Sequence, residues 1–310
     1  MKRLSFATAG VILTFVGALA YLGWLGYGAL PKPPTPTPVP RLVFSGAEAL
    51  ARAQEQCAFG PRPVGSEAGR KTGDWIIEQL EKAGWQVETD EFEHEGVMVR
   101  NIIAKGGQGP AIMVGAHYDT RPIADQDPDP ALRSVPILGA NDGASGVAVL
   151  LELARTLERD LLPNEVWLTF FDAEDMGRIP GWDWAVGSTH LAETMEPLPA
   201  AMFLADMVGD ADQRFPYELN SDPLLRSHLW SVARNLGYGD VFVRESGPVI
   251  TDDHIPFLRQ GAPAVDIIDF DYPYWHTTAD TCDKLSADSL ERVGRVLEFY
   301  LEEGKLQELE

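Results

Sequence analysis

Residues 111–118 read AIMVGAHY, and this stretch decides the fold. A short apolar run that ends in polar residues is typical of a buried central strand. The segment at residues 123–135 is rich in Asp and Pro and predicts one long loop. Residues 146–157 then predict a helix that is apolar on most of its surface. A buried strand followed by a buried helix indicates an α/β architecture.

Strands and helices alternate along the rest of residues 42–310, with no internal repeat and no second domain. The other predicted elements are, in chain order, a helix from Ser45, a helix from Ser66 to near Gly84, paired strands at 86–92 and 98–104, strands at 166–171 and 200–205, a helix at 224–236, a strand at 262–268 and a helix from Ser286. This order predicts a three-layer α/β/α sandwich around a mixed, mostly parallel central sheet.

Residues 1–30 form a separate apolar segment. Lys2 and Arg3 precede 27 residues without charge, and about 20 such residues suffice to span a bilayer as a helix. The basic residues favour a cytoplasmic N-terminus for such an anchor. A cleaved signal peptide is the alternative, with Ala18-Leu19-Ala20 as its cleavage site. Both alternatives export the remaining chain, so we expect an extracytoplasmic protein that is membrane-anchored or secreted.

Residues 31–41 link this segment to the domain. Six prolines within residues 31–40 predict a stiff polyproline stalk. The chain has two cysteines, Cys57 and Cys282. In an exported protein they form either one disulfide or two separate thiols, and the sequence leaves this open.

The charge of the chain is unevenly distributed. The sequence holds 25 Lys and Arg against 47 Asp and Glu, a net charge of −22. Residues 1–41 carry four basic and no acidic groups, so residues 42–310 carry 21 − 47 = −26. Such a domain repels nucleic acid and anionic lipid surfaces, which excludes nucleic-acid partners and limits membrane contact to the N-terminal segment. It suits a neutral or cationic substrate and carboxylates gathered around a metal.

Polar clusters follow the predicted strands at their carboxyl ends, where functional groups of parallel sheets gather. Taken singly, an Asp after a strand is most often a helix cap and a pair of carboxylates a solvated turn. Together, imidazoles and carboxylates at successive strand ends predict a divalent metal site, and oxygen with nitrogen ligands suits zinc. The clusters are His-Tyr-Asp at 117–119, Asn-Asp-Gly-Ala-Ser-Gly at 141–146, Asp-Ala-Glu-Asp at 172–175, Asp206, Asp-Asp-His-Ile-Pro-Phe at 252–257 and Trp-His-Thr at 275–277.

In this order the clusters resemble the zinc aminopeptidase and glutaminyl cyclase superfamily, across essentially all of residues 42–310. Within it, the chain looks most similar to the zinc-dependent glutaminyl-peptide cyclotransferases of animals and bacteria. The resemblance implies a zinc aminopeptidase-like fold and a Zn²⁺-dependent catalytic domain at residues 42–310. It also implies that the substrates are the N-termini of peptides or proteins.

The resemblance assigns roles to individual residues. It implies that zinc is held by Asp142, Asp175 and His276. Glu174 would be the general acid/base, with Asp206 and Asp253 in a carboxylate network beside it. Two aromatic walls of the substrate pocket would come from Trp275 and Trp182.

Two reactions remain open on this scaffold. An aminopeptidase uses two metals bridged by one Asp to activate a water, and the resemblance supplies His117 and Asp206 as ligands for the second metal. Ligand count therefore does not separate an aminopeptidase from a cyclase. Three features favour the cyclase: the Glu-Asp pair at 174–175 where aminopeptidases usually have Glu-Glu, the Trp before His276, and the Asp-Asp-His-Ile-Pro-Phe motif. A non-catalytic binding domain is a third alternative, although no ligand is missing.

Overall fold

The computed structural model describes residues 42–303, and its centre is a six-stranded sheet in the order β1-β2-β4-β3-β5-β8. The strands β3, β4, β5 and β8 run parallel, while β1 and β2 form an antiparallel hairpin added at the β4 edge. The predicted mixed, mostly parallel sheet is therefore confirmed. The strands are β1 Gln86–His94, β2 Val97–Gly106, β3 Ala111–His117, β4 Glu165–Phe171, β5 Ala201–Asp206 and β8 Ala264–Ile268, with a separate parallel pair, β6 Phe215–Tyr217 and β7 Phe242–Ser246.

Helices cover both faces of the sheet. The helices are α1 Gly46–Cys57, α2 Glu67–Lys82, α3 Ala144–Thr156, α4 Val186–Thr194, α5 Pro223–Asn235, α6 His254–Gln260 and α7 Ala287–Glu303. Alternate residues of each central strand point to opposite faces of the sheet. Val114 belongs to the core under α1, α2, α3, α5 and α7, and Met113 belongs to the core under α4 and α6. The three-layer sandwich is thus confirmed.

Helix starts follow their capping residues. The Ser45 side chain accepts from the backbone N–H of Glu48, and the Ser66 side chain accepts from that of Gly69. Asp222 caps α5, with Pro223 in the first turn. Four short elements were not predicted from the sequence, because they are too short to show a clear periodicity: α4, α6, β6 and β7.

The helix α3 approaches the sheet closely at its first turn. A Cβ added at Gly146 would lie 2.1 Å from the carbonyl oxygen of Ala205 and 2.9 Å from the Cβ of Ala116. Only glycine fits there, so the start of α3 is pressed against the ends of β3 and β5. The loop that precedes α3 is thereby fixed at the carboxyl edge of the sheet.

A disulfide joins Cys57 at the end of α1 to Cys282, 225 residues later in the chain. This settles the question that the sequence left open. The loop at residues 123–135 contains no helix or strand, as predicted. Within residues 42–303 no helix is both long and apolar enough to cross a membrane. The predictions for residues 1–41 fall outside the described part of the chain.

Candidate active site

The sheet brings the predicted site residues together at its carboxyl edge. His117 is the last residue of β3 and Asp206 the last of β5, while Glu174 and Asp175 follow β4 within four residues. Asp142 lies in the loop that leads into α3, and His276 follows β8. All six side chains are buried, with at most 8% of any residue exposed. Neighbouring parallel strands that end at the same edge explain this convergence.

Three of these residues form a first group of ligand atoms. The Nε2 of His276 lies 3.1 Å from Oδ1 of Asp175 and 3.7 Å from Oδ2 of Asp142. The Oδ2 atoms of Asp142 and Asp175 are buried and accept no hydrogen bond. Buried carboxylate oxygens are normally paired, so these atoms need a cation or a proton. One histidine and two carboxylates form a donor set that fits zinc.

A second group shares Asp142 with the first. The Nε2 of His117 lies 3.2 Å from Oδ1 of Asp142 and 3.2 Å from Oδ1 of Asp206. The two carboxylate oxygens of Asp142 therefore face different histidines. This is the arrangement expected of a residue that bridges two metals, so the geometry accommodates one metal or two.

Backbone hydrogen bonds fix the loops that carry the ligands. The carboxylate of Asp119 accepts from the N–H groups of Glu174 and Asp175. That of Asp280 accepts from the N–H groups of Asn141 and Asp142. Each buried carboxylate thus orients a backbone segment next to a ligand. Asp119 was quoted from the sequence in the His-Tyr-Asp cluster without a role, and Asp280 was not quoted, because their roles lie in contacts between residues at least 55 and 138 positions apart.

The loop before α3 requires one glycine in the left-handed region. Gly143 has φ +102°, and a Cβ there would lie 2.8 Å from the carbonyl oxygen of Asp119 and 3.3 Å from the ring of His117. Glycine therefore lets the chain turn closely around the His117 ring. The turn brings Asp142 against both histidines.

A cavity of about 290 Å³ opens above the ligand atoms. Its polar residues include Asp142, Glu174, Asp206 and His276. Its apolar walls are formed by Trp184, Met207, Val249, Ile250, Ile268, Phe270 and Trp275. The cavity thus combines an acidic, metal-ligating floor with an aromatic and aliphatic wall.

Two tryptophans line this cavity, and one differs from the sequence expectation. Trp275 lies in the wall with its ring stacked on His276 at a centroid distance of 3.8 Å. Trp182 is not part of the lining; it packs in a cluster with Val99 and tilts against the ring of His94. Trp184 takes the place expected for Trp182.

The reason lies in the backbone after the Glu-Asp pair. The N–H of Ala185 donates to the carbonyl oxygen of Glu174, which draws the preceding residue, Trp184, to the cavity. Its ring also lies 5.0 Å over the guanidinium of Arg121. The sequence shows the two tryptophans two residues apart but does not tell which one turns inward.

A second difference concerns the carboxylates beside Glu174. Asp252 lines the cavity, whereas Asp253 is fully buried outside the lining. Burial raises the pKa of Glu174 well above its usual value, and the charge of Asp252 raises it further. Burial and the charge of Asp206 raise the pKa of Asp252 to about 7. Glu174 therefore has Asp252, which the sequence analysis did not select, as its main acidic neighbour.

The histidines are held in their charged form by the carboxylates around them. Burial opposes this, but the charge of Asp175 and the hydrogen bond that the His276 ring donates to Asp125 raise the pKa of His276 to about 9. Burial alone would raise the pKa of Asp142. The hydrogen bond with His117 and the charge of its ring outweigh burial and hold this pKa below its usual value. Without a metal the cluster thus neutralises its charge with protons, and a bound cation replaces them.

Comparisons with known proteins agree with this geometry. The family model of Peptidase family M28 matches residues 101–301. The glutaminyl-peptide cyclotransferase-like protein of Bos taurus is 28% identical over 268 residues, covering 71% of this chain and 66% of that protein.

Two solved structures extend the comparison to nearly whole domains. Porphyromonas gingivalis glutaminyl cyclase superposes with a TM-score of 0.77 at 34% identity, covering 84% of this chain and 99% of that one. A leucine aminopeptidase precursor from Bacteroides thetaiotaomicron superposes with a TM-score of 0.80 at 31% identity, covering 85% and 98%. Both reactions considered from the sequence are thus represented among the names of similar structures.

The α/β/α fold and the His/Asp ligand groups define a metallo-exopeptidase-like protein, and the chain belongs to Peptidase family M28. Within that family it groups with the glutaminyl-peptide cyclotransferases, to which it is similar over most of its length. The resemblance inferred from the motifs is confirmed.

Metal binding to this site should stabilise the fold. A ligand present at 100 times its dissociation constant raises the free energy of unfolding by about 2.7 kcal/mol. We expect zinc, compared with chelator, to produce an increase of this order in chemical denaturation of the domain. Asp142→Asn should abolish most of it, whereas Asp160→Asn, which changes an exposed carboxylate, should retain it. An equal response in all three proteins would show that the ion binds elsewhere.

Proposed function

We propose that this protein is a zinc-dependent glutaminyl-peptide cyclotransferase, which converts the N-terminal glutamine of peptides or proteins to pyroglutamate and releases ammonia. The observation that carries the proposal is the buried Glu174 beside a ligand group, facing a small cavity walled by Trp184 and Trp275. The similarity to proteins named as glutaminyl cyclases supports the same reaction.

The cavity suits the reacting end of such a substrate. A volume of about 290 Å³ is of the size needed to hold one residue folded back on itself. The acidic floor attracts an α-amine, and the aromatic walls hold the apolar stem of the glutamine side chain. Fixing the amine next to its own side-chain amide replaces a flexible encounter with an oriented one, which accounts for a large part of the rate in intramolecular reactions.

Zinc would be held by Asp142, Asp175 and His276, because the Oδ2 atoms of the two carboxylates otherwise have no hydrogen-bond donor. When bound there, it would supply Lewis-acid polarisation of the side-chain amide carbonyl. Glu174, which lines the same cavity, would supply a proton acceptor for the attacking amine.

Glu174 moves the proton. As the α-nitrogen forms a bond to the side-chain amide carbon, the Glu174 carboxylate takes a proton from that nitrogen. It then delivers the proton to the amide nitrogen, whose bond to carbon breaks as ammonia leaves. Asp206 and Asp252 hold the amine and share the proton with Glu174. A pKa raised by burial suits a group that must both accept and donate near neutral pH.

The Glu174→Gln variant tests this role. It should bind metal normally but release ammonia from a glutamine-initiated peptide about 10²–10⁴-fold more slowly, because amide replaces the general acid/base. Glu158→Gln, a change at an exposed position, is the matched control and should keep full activity. Pyroglutamate formation is followed by mass spectrometry beside ammonia release. Undiminished turnover in Glu174→Gln would exclude Glu174 as the acid/base.

The second candidate function is a two-metal aminopeptidase. The observation in its favour is the His117 group, which offers a second set of ligands that shares Asp142. The products separate the two functions: an aminopeptidase releases free amino acids from varied N-termini, whereas the cyclase leaves the peptide chain intact.

Metal stoichiometry gives an independent test. Cyclisation needs no water nucleophile, so one Lewis acid is enough, and we expect about one zinc per chain by elemental analysis. His276→Ala should lose this zinc, while His190→Ala, on α4 and outside both ligand groups, should retain it. Two tightly held metals in the wild-type protein would favour the aminopeptidase.

We also propose that the domain works outside the cytoplasm, membrane-anchored or secreted through residues 1–30. The uncharged N-terminal stretch supports this, and so does the Cys57–Cys282 disulfide, since disulfides persist mainly in oxidising compartments.

Fractionation of cells that express the full chain should find it in the membrane or the extracytoplasmic fraction with its cysteines oxidised. A chain without residues 1–30 should stay in the cytoplasm with reduced cysteines. A full-length chain that is cytoplasmic and reduced would contradict export.

A further inference from the structure

One loop holds His276 from the side opposite the ligand group. The Nδ1 of His276 lies 3.1 Å from Oδ1 of Asp125. The backbone N–H of the next residue, Gln126, donates to the carbonyl oxygen of His276 at 3.2 Å. His276 itself has a positive φ of 55°, a conformation that L-residues adopt only when their surroundings hold them. The loop therefore fixes both the ring and the backbone of this residue.

A buried arginine connects this loop to a second ligand. Both Nε and one terminal nitrogen of Arg121 donate to the carboxylate of Asp125, at 2.8 and 3.1 Å. The other terminal nitrogen lies 3.3 Å from Oδ1 of Asp175 and 3.2 Å from its carbonyl oxygen. Arg121 is only 1% exposed. The planar guanidinium thus sets the distance between Asp125 and Asp175.

We propose that Asp125 is a positioning residue for the metal centre. By accepting the Nδ1–H of His276, it fixes the tautomer in which Nε2 carries the free electron pair, and Nε2 faces Asp142 and Asp175. Arg121 holds Asp125 and Asp175 in a fixed relation, so both ligands are oriented from one point. Such outer hydrogen bonds raise the basicity of a ligand histidine and tighten metal binding. The inference rests on the metal centre of the proposed function, not on which reaction it catalyses.

A different residue, Asp127, anchors the loop at residues 123–135. The Oδ2 of Asp127 accepts from both the backbone N–H and the hydroxyl of Thr278, at 3.0 and 2.7 Å. The loop therefore remains attached beside His276 when the Asp125 carboxylate is removed. Because Asp127 anchors the loop and Asp125 contacts the ring, a change at Asp125 tests the orientation of the His276 ring alone.

The test compares zinc affinity, by chelator competition, and the visible spectrum of the cobalt-substituted protein. Asp125→Ala should weaken zinc binding about 10–100-fold and shift the cobalt bands, because the histidine ring loses its fixed orientation. Asp125→Asn should recover part of the affinity, since its amide oxygen still accepts from Nδ1–H. Asp129→Ala, an exposed carboxylate in the same loop, should match the wild type in both measurements.

Wild-type affinity and an unchanged cobalt spectrum in Asp125→Ala would overturn the proposal. So would weaker binding with an unchanged spectrum, which would make Asp125 a support of the loop alone. If the alanine variant does not fold, Asp125→Leu, which keeps the side-chain volume but offers no acceptor to Nδ1–H, replaces it, and wild-type values in both measurements then decide against the proposal. A wild-type protein that binds no zinc would overturn both proposals, whereas zinc binding without cyclisation would overturn only the reaction.

Discussion

Buried negative charge at one edge of the sheet is the constraint on which the rest of this structure depends. Asp142, Glu174, Asp175, Asp206 and Asp252 are all withdrawn from water within a single site. Carboxylates buried this closely cannot all be ionised unless cations or protons are shared among them. The two histidines, the buried Arg121 and the implied metal supply the positive charge that these carboxylates need. The same crowding raises the pKa of Glu174, so that this group can both accept and donate a proton.

The sequence predicted the layers and most of the ligands because those features are local. Apolar runs, caps such as Ser45 and Ser66, and polar residues at strand ends are visible within a few residues of one another. The direction in which a side chain points from a turn depends on contacts far away in the chain. For this reason Trp184 and Asp252 lie where the sequence suggested Trp182 and Asp253. Asp125 was predicted only as part of a long loop, because its contact with His276, 151 residues away in the chain, is not visible in the sequence.

The position of Asp142 explains why one scaffold carries two chemistries. One of its oxygens faces His276 and the other faces His117. With a metal held only on the His276 side, the His117 side would be free to position an amine, whereas a site filled on both sides would supply an activated water. Both ligand groups are present, so the ligands alone do not select the reaction. The choice therefore depends on how many metal ions the two groups hold and on the shape of the cavity wall.

The disulfide lies close to these ligands in the chain. Cys282 comes two residues after Asp280, whose carboxylate receives the N–H groups of Asn141 and Asp142. The cross-link that holds α1 in place thus also braces the segment that carries the shared ligand. Reduction of this bond would therefore remove the covalent tie between α1 and the segment that holds the loop of the shared ligand.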